Sequence, residues 1–226
     1  MFQKLSRRPL AVALCLAATV PTTLASSAEL PGGPARLAAP SPQLPAATKV
    51  AVRTANGPFT VTPERRALLN TIRYAEGTWK GGRAEGYRVL YGGQLFQGFQ
   101  RHPEISVRRM YTSAAAGAYQ FLPSTWHEVS RRLGLRSFEP HNQDQAALYL
   151  IQRRRALTRF DRQGLDSEVM ARLAPEWASI PYRHGGSYYG QPVKSRQELT
   201  RFYQAALGEA RRNSSSSDSR ENANPA

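Results

Sequence analysis

Cysteine is almost absent from this sequence, and histidine is scarce. The one cysteine, Cys15, lies in an apolar segment near the N-terminus, so the remainder of the chain can form neither a disulfide bond nor a thiolate nucleophile. The four histidines are His102, His127, His141 and His184. Because their positions show none of the spacings typical of metal ligands, we predict that the protein holds no metal and needs no cofactor.

Acidic residues are also few, with 16 against 31 lysines and arginines, and the formal net charge is +15 at pH 7. Such a charge favours an anionic partner, which could be nucleic acid, a membrane or a wall polymer; a plain solubilising surface is the alternative. The arginines are scattered over several predicted helices, and no known nucleic-acid motif accompanies them. We therefore predict that the protein does not bind nucleic acid.

Long hydrophobic runs are missing except at residues 10–20, and that run is too short for a permanent membrane span. Three basic residues precede it and small residues follow it at 25–28, which is the pattern of a secretory signal peptide. We expect cleavage after Ala25 or Ala28. The mature protein should then be secreted or periplasmic, without a stable membrane anchor.

Composition divides the rest of the chain into a linker, one domain and a tail. Residues 29–56 are rich in proline, alanine and glycine, which predicts an extended linker. Residues 213–226, NSSSSDSRENANPA, are polar and of low complexity, which predicts a disordered tail. The folded domain should therefore span residues 57–212. We find no internal repeat, and we expect a monomer.

The domain is predicted to begin with a helix and to continue through a glycine-rich region. A Thr-Pro pair at 62–63 is typical of a helix start, and the helix should run to about Glu76. Glycines recur through residues 77–117, with β-prone pieces at 87–91 and 94–99 between them. This pattern predicts a small irregular sheet of hairpins.

Several helices are predicted after the glycine-rich region. They cover residues 123–133, a segment opened by Asn142 or Asp144 and ended by basic residues, residues 166–173, residues 175–179, and residues 193–212, whose inward side chains should be Leu199, Phe202, Tyr203 and Leu207. Residues 184–190 should form a loop, and Trp126 and Trp177 should lie in the core. One helix, a small sheet and then several helices make an α+β fold.

The most informative residue is Glu76, at the end of the first predicted helix. Leu68, Leu69 and Ile72 form an apolar face, and Glu76 projects from that same face. Partial burial and the negative end of the helix dipole both disfavour the carboxylate, so they raise the pKa of Glu76. A glutamic acid with a raised pKa suits a general acid. The alternative is a helix-end side chain that simply reaches water.

Several motifs follow one another in a distinctive order: YAEGT, GYRVLYGGQLF, SAAAGAYQFL, RLGL, FEPHNQDQAALYLI, WASIP and YYGQ. In that order they resemble the phage lambda lysozyme (endolysin) family, which cleaves peptidoglycan as lytic transglycosylases. The resemblance covers about residues 67–207. It implies a lysozyme-like fold, with a mainly helical lobe, a small β lobe and the active-site cleft between them.

The resemblance implies that Glu76 is the single catalytic acid. It would protonate the bond between N-acetylmuramic acid and N-acetylglucosamine, and the muramic acid C6 hydroxyl would attack C1 to give a 1,6-anhydro end. A hydrolysing muramidase would normally need a second carboxylate. Between residues 77 and 117 the acids are Glu85 and Glu104, both in loop-like contexts, and Arg88 stands where the lambda protein has an acid.

Muramidase activity therefore remains one alternative, and a non-catalytic peptidoglycan-binding module is the other. We predict glycan strands of peptidoglycan as the partner in each case.

Substrate contacts are expected from two further segments. Gly117 would let the backbone approach a sugar, Tyr119 would pack on it, and Gln120 would bond an N-acetyl group or the catalytic acid. The alternative is a structural loop with Tyr119 in the core. A further wall of the cleft would come from Tyr188, Tyr189 and Gln191. Plain packing is the alternative for these three residues.

Overall fold

Helices make up most of the domain, and a very small sheet accompanies them. This computed structural model describes the backbone of residues 57–221 and the side chains of residues 57–215; the predicted signal peptide, the linker and residues 222–226 lie outside that part. The helices are α1 (Pro63–Ala75), α2 (Pro123–Leu133), α3 (Pro140–Arg153), α4 (Leu157–Gln163), α5 (Ser167–Leu173) and α6 (Arg196–Glu221), the strands are β1 (Val107–Arg108) and β2 (Thr112–Ser113), and 3-10 turns cover Lys80–Gly82, Ala84–Arg88 and Arg183–Gly185. The predicted α+β class is confirmed.

The first helix begins as its sequence predicts. The Thr62 side chain accepts a hydrogen bond from the backbone N–H of Arg65 at 3.3 Å, and Pro63 occupies the first turn. The apolar face of the helix is fully buried and packs against α3 and α6. Each large aliphatic side chain buried in this way contributes roughly 1.5–3 kcal/mol. The end of α1, where Glu76 lies, is therefore held rigidly by the core.

Helix α6 packs along α1 through the side chains that were predicted to face inward. Leu199, Tyr203 and Leu207 are buried, which confirms the prediction for them. Phe202 is partly buried, and its ring stacks on Tyr74 with ring centroids 4.2 Å apart. This contact fixes the last turn of α1 against α6.

The glycine-rich region is less regular than predicted, and the two expected strands at 87–91 and 94–99 are wrong in extent. They pair at one bridge, Val89 opposite Leu95. Gly92 and Gly93, with φ values of +85° and +94°, form the turn between them, and the 3-10 turn Ala84–Arg88 occupies residues that would have begun the first strand. The regular sheet is instead the antiparallel pair of β1 and β2, with Val107 opposite Ser113.

The observed helices differ from the predicted ones in three further respects. Helix α3 begins at Pro140, before the predicted Asn142 or Asp144, because those two side chains bond to residues outside the helix rather than capping it. Helix α4 was not predicted. Residues 175–179 were predicted to be helical, but they form successive turns with Trp177 donating to Leu173 and Ile180 to Trp177.

Helix α6 continues past Arg212, where we expected it to end, so residues 213–221 of the predicted tail are helical. Serine often competes with the helix backbone, but here Ser214 and Ser215 bond to carbonyl groups of the preceding turn, those of Ala210 and Arg211, each at 2.8 Å. These bonds satisfy the two hydroxyl groups within the helix, which continues through a segment whose composition predicted a disordered tail. Across residues 57–221 we found no helix with the length and apolar character that a membrane span requires.

The aromatic core links the glycine-rich region to the helices. Phe138 packs edge-to-face on Trp126, with ring centroids 4.5 Å apart, and contacts Phe96 at 5.8 Å. Trp126 and Trp177 are both buried, as predicted. The loop at residues 184–190 contains a single 3-10 turn at its start, which confirms the predicted loop.

Candidate active site

Glu76 is the residue that ends α1, and it lies partly buried. Its N–H donates to the carbonyl of Ile72 at 2.9 Å, so the backbone completes the last turn of the helix. Gly77 follows with φ +72°, which turns the chain away from the helix axis. The carboxyl group is thereby fixed at a helix end, as the sequence predicts.

The environment of the carboxyl group favours its neutral form. Burial raises the pKa of Glu76 to about 7, while a hydrogen bond from Ser179 acts in the opposite direction. The raised pKa confirms the direction predicted from the apolar helix face. A carboxyl group that titrates near neutrality can donate a proton and then take one back at the same pH.

Ser179 is a site residue that sequence reasoning missed. Its hydroxyl donates a hydrogen bond to the Glu76 carboxylate, and its own carbonyl accepts the backbone N–H of Lys194 at 3.1 Å. The signal available was the WASIP motif, which contains this serine. Placing residues 175–179 in a helix concealed it, because the succession of turns is what brings the hydroxyl to Glu76.

One loop holds both segments that form the Glu76–Ser179 pair. The carbonyl of Ala118 accepts a hydrogen bond from the Thr78 hydroxyl at 2.5 Å. The next carbonyl, that of Tyr119, accepts the indole N–H of Trp177 at 3.1 Å. Thr78 lies two residues after Glu76 and Trp177 two residues before Ser179. The loop at 117–120 therefore sets the position of Glu76 relative to Ser179 from both sides.

Tyr119 itself lies in the core, so the prediction that its ring packs on substrate is wrong. The residue is 1% exposed, and its hydroxyl donates to the buried carboxylate of Asp144. Tyr87 donates to the same carboxylate at 2.9 Å, and Arg66 pairs with it at 2.6 Å. Three donors compensate the burial of this charge. These contacts with Asp144 anchor the loop, and the buried ring of Tyr119 has no face free for a sugar.

Gly117 is required by internal packing, while its expected close approach to a sugar stays a prediction. It is buried with φ +81°, and a Cβ there would lie 2.4 Å from Oε1 of Gln143 and 2.8 Å from the ring of Phe138. Gln120 is partly exposed, and its amide donates to the carbonyls of Val89 at 3.0 Å and Gly117 at 3.1 Å. Its expected contact with substrate stays a prediction.

The loop with Tyr188, Tyr189 and Gln191 remains a candidate wall of the site. Both tyrosines are exposed, and their rings meet edge-to-face with centroids 4.8 Å apart. The Tyr189 hydroxyl donates to the carbonyl of Pro175 at 2.7 Å, which ties the loop to the segment that carries Ser179. Gln191 is partly exposed. Contact of these three residues with substrate stays a prediction.

The two acids considered as a second carboxylate are engaged elsewhere. Glu104 contacts His127 at 2.8 Å and Glu85 lies 3.8 Å from Arg83, and all four side chains are about half exposed or more. Arg88 donates to Gln97 at 3.2 Å on the surface. In the part of the chain that the structure describes, no group of three or more His, Cys, Asp or Glu side chains is placed to hold a metal ion.

The sequence matches the Endolysin family over residues 66–210. It is 33% identical to the endolysin of Escherichia phage lambda over 156 residues, which cover 67% of this chain and 96% of that protein. The endolysin of Escherichia phage P2 is 31% identical over 156 residues, covering 63% of this chain and 92% of that protein.

Solved structures agree with this match. Bacteriophage lambda lysozyme complexed with a chitohexasaccharide superposes with a TM-score of 0.60 at 33% identity, covering 66% of this chain and 96% of that one. Another structure of lysozyme from bacteriophage lambda gives a TM-score of 0.53 at 29% identity, covering 68% and 96% of the two chains. The fold is lysozyme-like, and the chain belongs to the endolysin family of enzymes that cleave glycosidic bonds in peptidoglycan.

Proposed function

We propose that the protein is an exported lytic transglycosylase. It cleaves the β-1,4 bond between N-acetylmuramic acid and N-acetylglucosamine and leaves 1,6-anhydro-muramic acid ends. The observation that carries this proposal is the setting of Glu76, whose pKa is raised to about 7 by burial and whose carboxyl group accepts a hydrogen bond from Ser179. The two acids considered as a second carboxylate pair elsewhere, Glu85 with Arg83 and Glu104 with His127.

A single carboxyl group can serve both halves of this reaction. Protonated Glu76 donates its proton to the glycosidic oxygen as the bond to C1 breaks. The C6 hydroxyl of the same muramic acid attacks C1, and the Glu76 carboxylate takes the proton that this hydroxyl loses. An intramolecular nucleophile has a large effective concentration, so no protein group is needed to hold a water molecule. The enzyme ends the cycle in its starting protonation state.

Hydrolysis of the same bond is the alternative reaction. An inverting glycosidase separates its carboxyl groups by about 6.5–9.5 Å and a retaining one by about 5–5.5 Å. Of the two acids considered for the second position, Glu85 lies 3.8 Å from Arg83 and Glu104 contacts His127 at 2.8 Å, and all four side chains are about half exposed or more. A non-catalytic binding module has no use for a carboxyl group whose pKa is raised to about 7. Both alternatives are therefore less well supported.

The partner in this proposal is a glycan strand of peptidoglycan. The lambda lysozyme structure was solved with a chitohexasaccharide, an oligomer of the related sugar, which supports a glycan-binding cleft here as well. The basic surface would add attraction to anionic wall polymers. The signal-peptide pattern at residues 1–28 supports export to the periplasm or the medium, and we propose that the enzyme acts as a monomer without a membrane anchor.

Product analysis tests this proposal. Purified peptidoglycan is digested with the enzyme, and the soluble muropeptides are separated and weighed by mass spectrometry. We expect products that carry 1,6-anhydro-muramic acid ends and are lighter than hydrolysis products by one water. Spectra dominated by reducing muramic acid ends would identify a muramidase. An absence of soluble products from folded enzyme would favour the binding module.

A further inference from the structure

Two tyrosines form an aromatic pair on the glycine-rich side of the domain. The rings of Tyr91 and Tyr111 lie with centroids 4.8 Å apart and planes inclined by 31°. Tyr91 stands immediately before the Gly92–Gly93 turn, and Tyr111 lies in the turn between β1 and β2. The pair is thus assembled from two separate chain reversals, and neither tyrosine was predicted as a site residue.

The backbone fixes where this pair lies. The N–H of Tyr91 donates to the carbonyl of Ala115 at 2.8 Å. Three residues further on, Ala118 accepts the hydroxyl of Thr78, which follows Glu76 by two residues. Tyr91 is therefore joined through one short strip of backbone to the segment that carries the catalytic acid.

The electrostatics of Tyr111 agree with this placement. Burial and the interaction with Tyr91 raise the pKa of Tyr111 to about 12, and the negative charge of Glu76 contributes to the same shift. This interaction with Glu76 agrees with the position that the backbone hydrogen bonds give to the pair. Because its pKa is raised, the Tyr111 hydroxyl stays protonated at neutral pH and can donate a hydrogen bond.

The pair remains open to a ligand. Tyr111 is 45% exposed and Tyr91 is partly exposed, although both are large aromatic side chains. Small-molecule sites are lined mainly by apolar and aromatic groups with a few polar groups that fix orientation. A tyrosine ring supplies an apolar face and its hydroxyl a polar tip. A pyranose ring has the matching surfaces, with C–H bonds on its faces and hydroxyl or N-acetyl groups around its edge.

We infer that Tyr91 and Tyr111 form a sugar subsite, which binds a pyranose ring of the glycan strand beside the bond that Glu76 cleaves. The inference rests on the proposed function, because it takes the glycan as the ligand of the cleft. Tyr111 packs its ring against the sugar and Tyr91 supports Tyr111 from behind. The two hydroxyl groups bond to polar groups at the edge of the sugar.

The test measures binding apart from cleavage. Glu76→Gln serves as the parent protein, and binding of the N-acetylglucosamine hexamer is followed by isothermal titration calorimetry. We expect Tyr111→Ala to weaken binding roughly tenfold, because the ring face is lost. Tyr111→Phe keeps the ring and should weaken binding only about two- to threefold. Met110→Ala is the matched control, since this neighbouring side chain is 87% exposed and has no ring.

Tyr91→Ala gives a second, independent variant, and thermal melting of each protein checks that it is folded. Unchanged binding by folded Tyr111→Ala, with lysis by the unmodified enzyme intact, would overturn the subsite and leave the proposed function standing. An equal loss in Met110→Ala would also overturn it, because the effect would not be specific to the ring. Failure of the parent to bind the hexamer, together with failure of the unmodified enzyme to lyse peptidoglycan, would overturn both.

Discussion

The hydroxyl of Ser179 donates a hydrogen bond to the carboxylate of Glu76, although 103 residues separate the two in the sequence. The bond opposes the effect of burial on the pKa of Glu76, so the serine keeps the acid from becoming permanently protonated. In the proposed mechanism this balance matters, because Glu76 first donates a proton and later accepts one. The pair is consequently a better description of the site than Glu76 alone.

Replacing Ser179 by alanine should shift the pH profile in one direction. Loss of the hydrogen bond leaves burial unopposed, so the pKa of Glu76 rises above about 7. A general acid is active while protonated, so the fall of kcat/KM on the alkaline side should move to higher pH. The rate of peptidoglycan lysis is measured from pH 5 to 9, with Ser124→Ala, an exposed serine of α2, as control. If the alkaline fall of kcat/KM in Ser179→Ala stayed at the same pH or moved to lower pH, the role given to Ser179 would be contradicted.

Glu76→Gln should abolish lysis while making the protein more stable at alkaline pH. The amide cannot donate a catalytic proton, so activity on peptidoglycan zymograms should fall by at least about a hundredfold. The stability change follows from the raised pKa, because the folded protein binds more protons than the unfolded chain between about pH 4.5 and 7. Stability of the unmodified protein therefore falls as pH rises through this window.

The variant lacks that loss, so at pH 8 its free energy of unfolding should exceed that of the unmodified protein by on the order of 2 kcal/mol. The difference should vanish below about pH 4.5, and thermal melts across this pH range measure it. Retention of activity within about tenfold would remove Glu76 from the mechanism. Equal melting temperatures at pH 8 would show that folding does not raise the pKa of the Glu76 carboxyl group.

Trp177→Phe should lower activity more than stability. Phenylalanine keeps much of the ring packing but loses the indole N–H that bonds to the carbonyl of Tyr119 at 3.1 Å, a bond worth about 1 kcal/mol. The Ser179 segment then loses its fixed distance to Glu76, so kcat should fall several-fold with little change in KM. Trp126→Phe, in the same core but in the aromatic cluster around Phe138, is the control and should change stability only. Equal kinetic effects from both variants would mean that general core loosening is responsible.

Salt should inhibit the lysis of intact walls. Attraction between the exposed basic residues of a chain with formal charge +15 and an anionic polymer is screened as ionic strength rises. Binding of the uncharged N-acetylglucosamine hexamer has no such component and should change far less between 50 and 500 mM salt. The same fractional loss on both ligands would argue against electrostatic attraction to the wall.

Features that depend on neighbouring residues could be predicted from the sequence. The start of α1 at Thr62, its apolar face and the raised pKa of Glu76 all follow from spacing within one helix. The family resemblance extended this to the lysozyme-like fold. The loop at 117–120 was recognised as important, but Tyr119 was wrongly placed against the substrate. Its acceptors are backbone carbonyls, which no side-chain pattern reveals, and its tyrosine points into the core.

Contacts between residues far apart in the sequence could not be predicted. The pairing of Ser179 with Glu76 requires the turns after α5, and the contact of Tyr91 with Tyr111 requires two separate chain reversals. The predicted strands failed because the 3-10 turn Ala84–Arg88 occupies the start of the first one, and a single bridge remains, Val89 opposite Leu95. In the extra turns of α6 the hydroxyls of Ser214 and Ser215 bond back to the preceding turn, although the composition of this segment alone is typical of disorder.

The most direct test of the single-carboxyl mechanism is digestion of purified peptidoglycan in water enriched in oxygen-18. Glu76 moves one proton and the C6 hydroxyl supplies the new bond to C1, so no oxygen from water enters the product. Mass spectra of the muropeptides should therefore show 1,6-anhydro ends that carry no label. Reducing muramic acid ends that carry one oxygen-18 from the earliest times of digestion would contradict this account and require a second group that activates water.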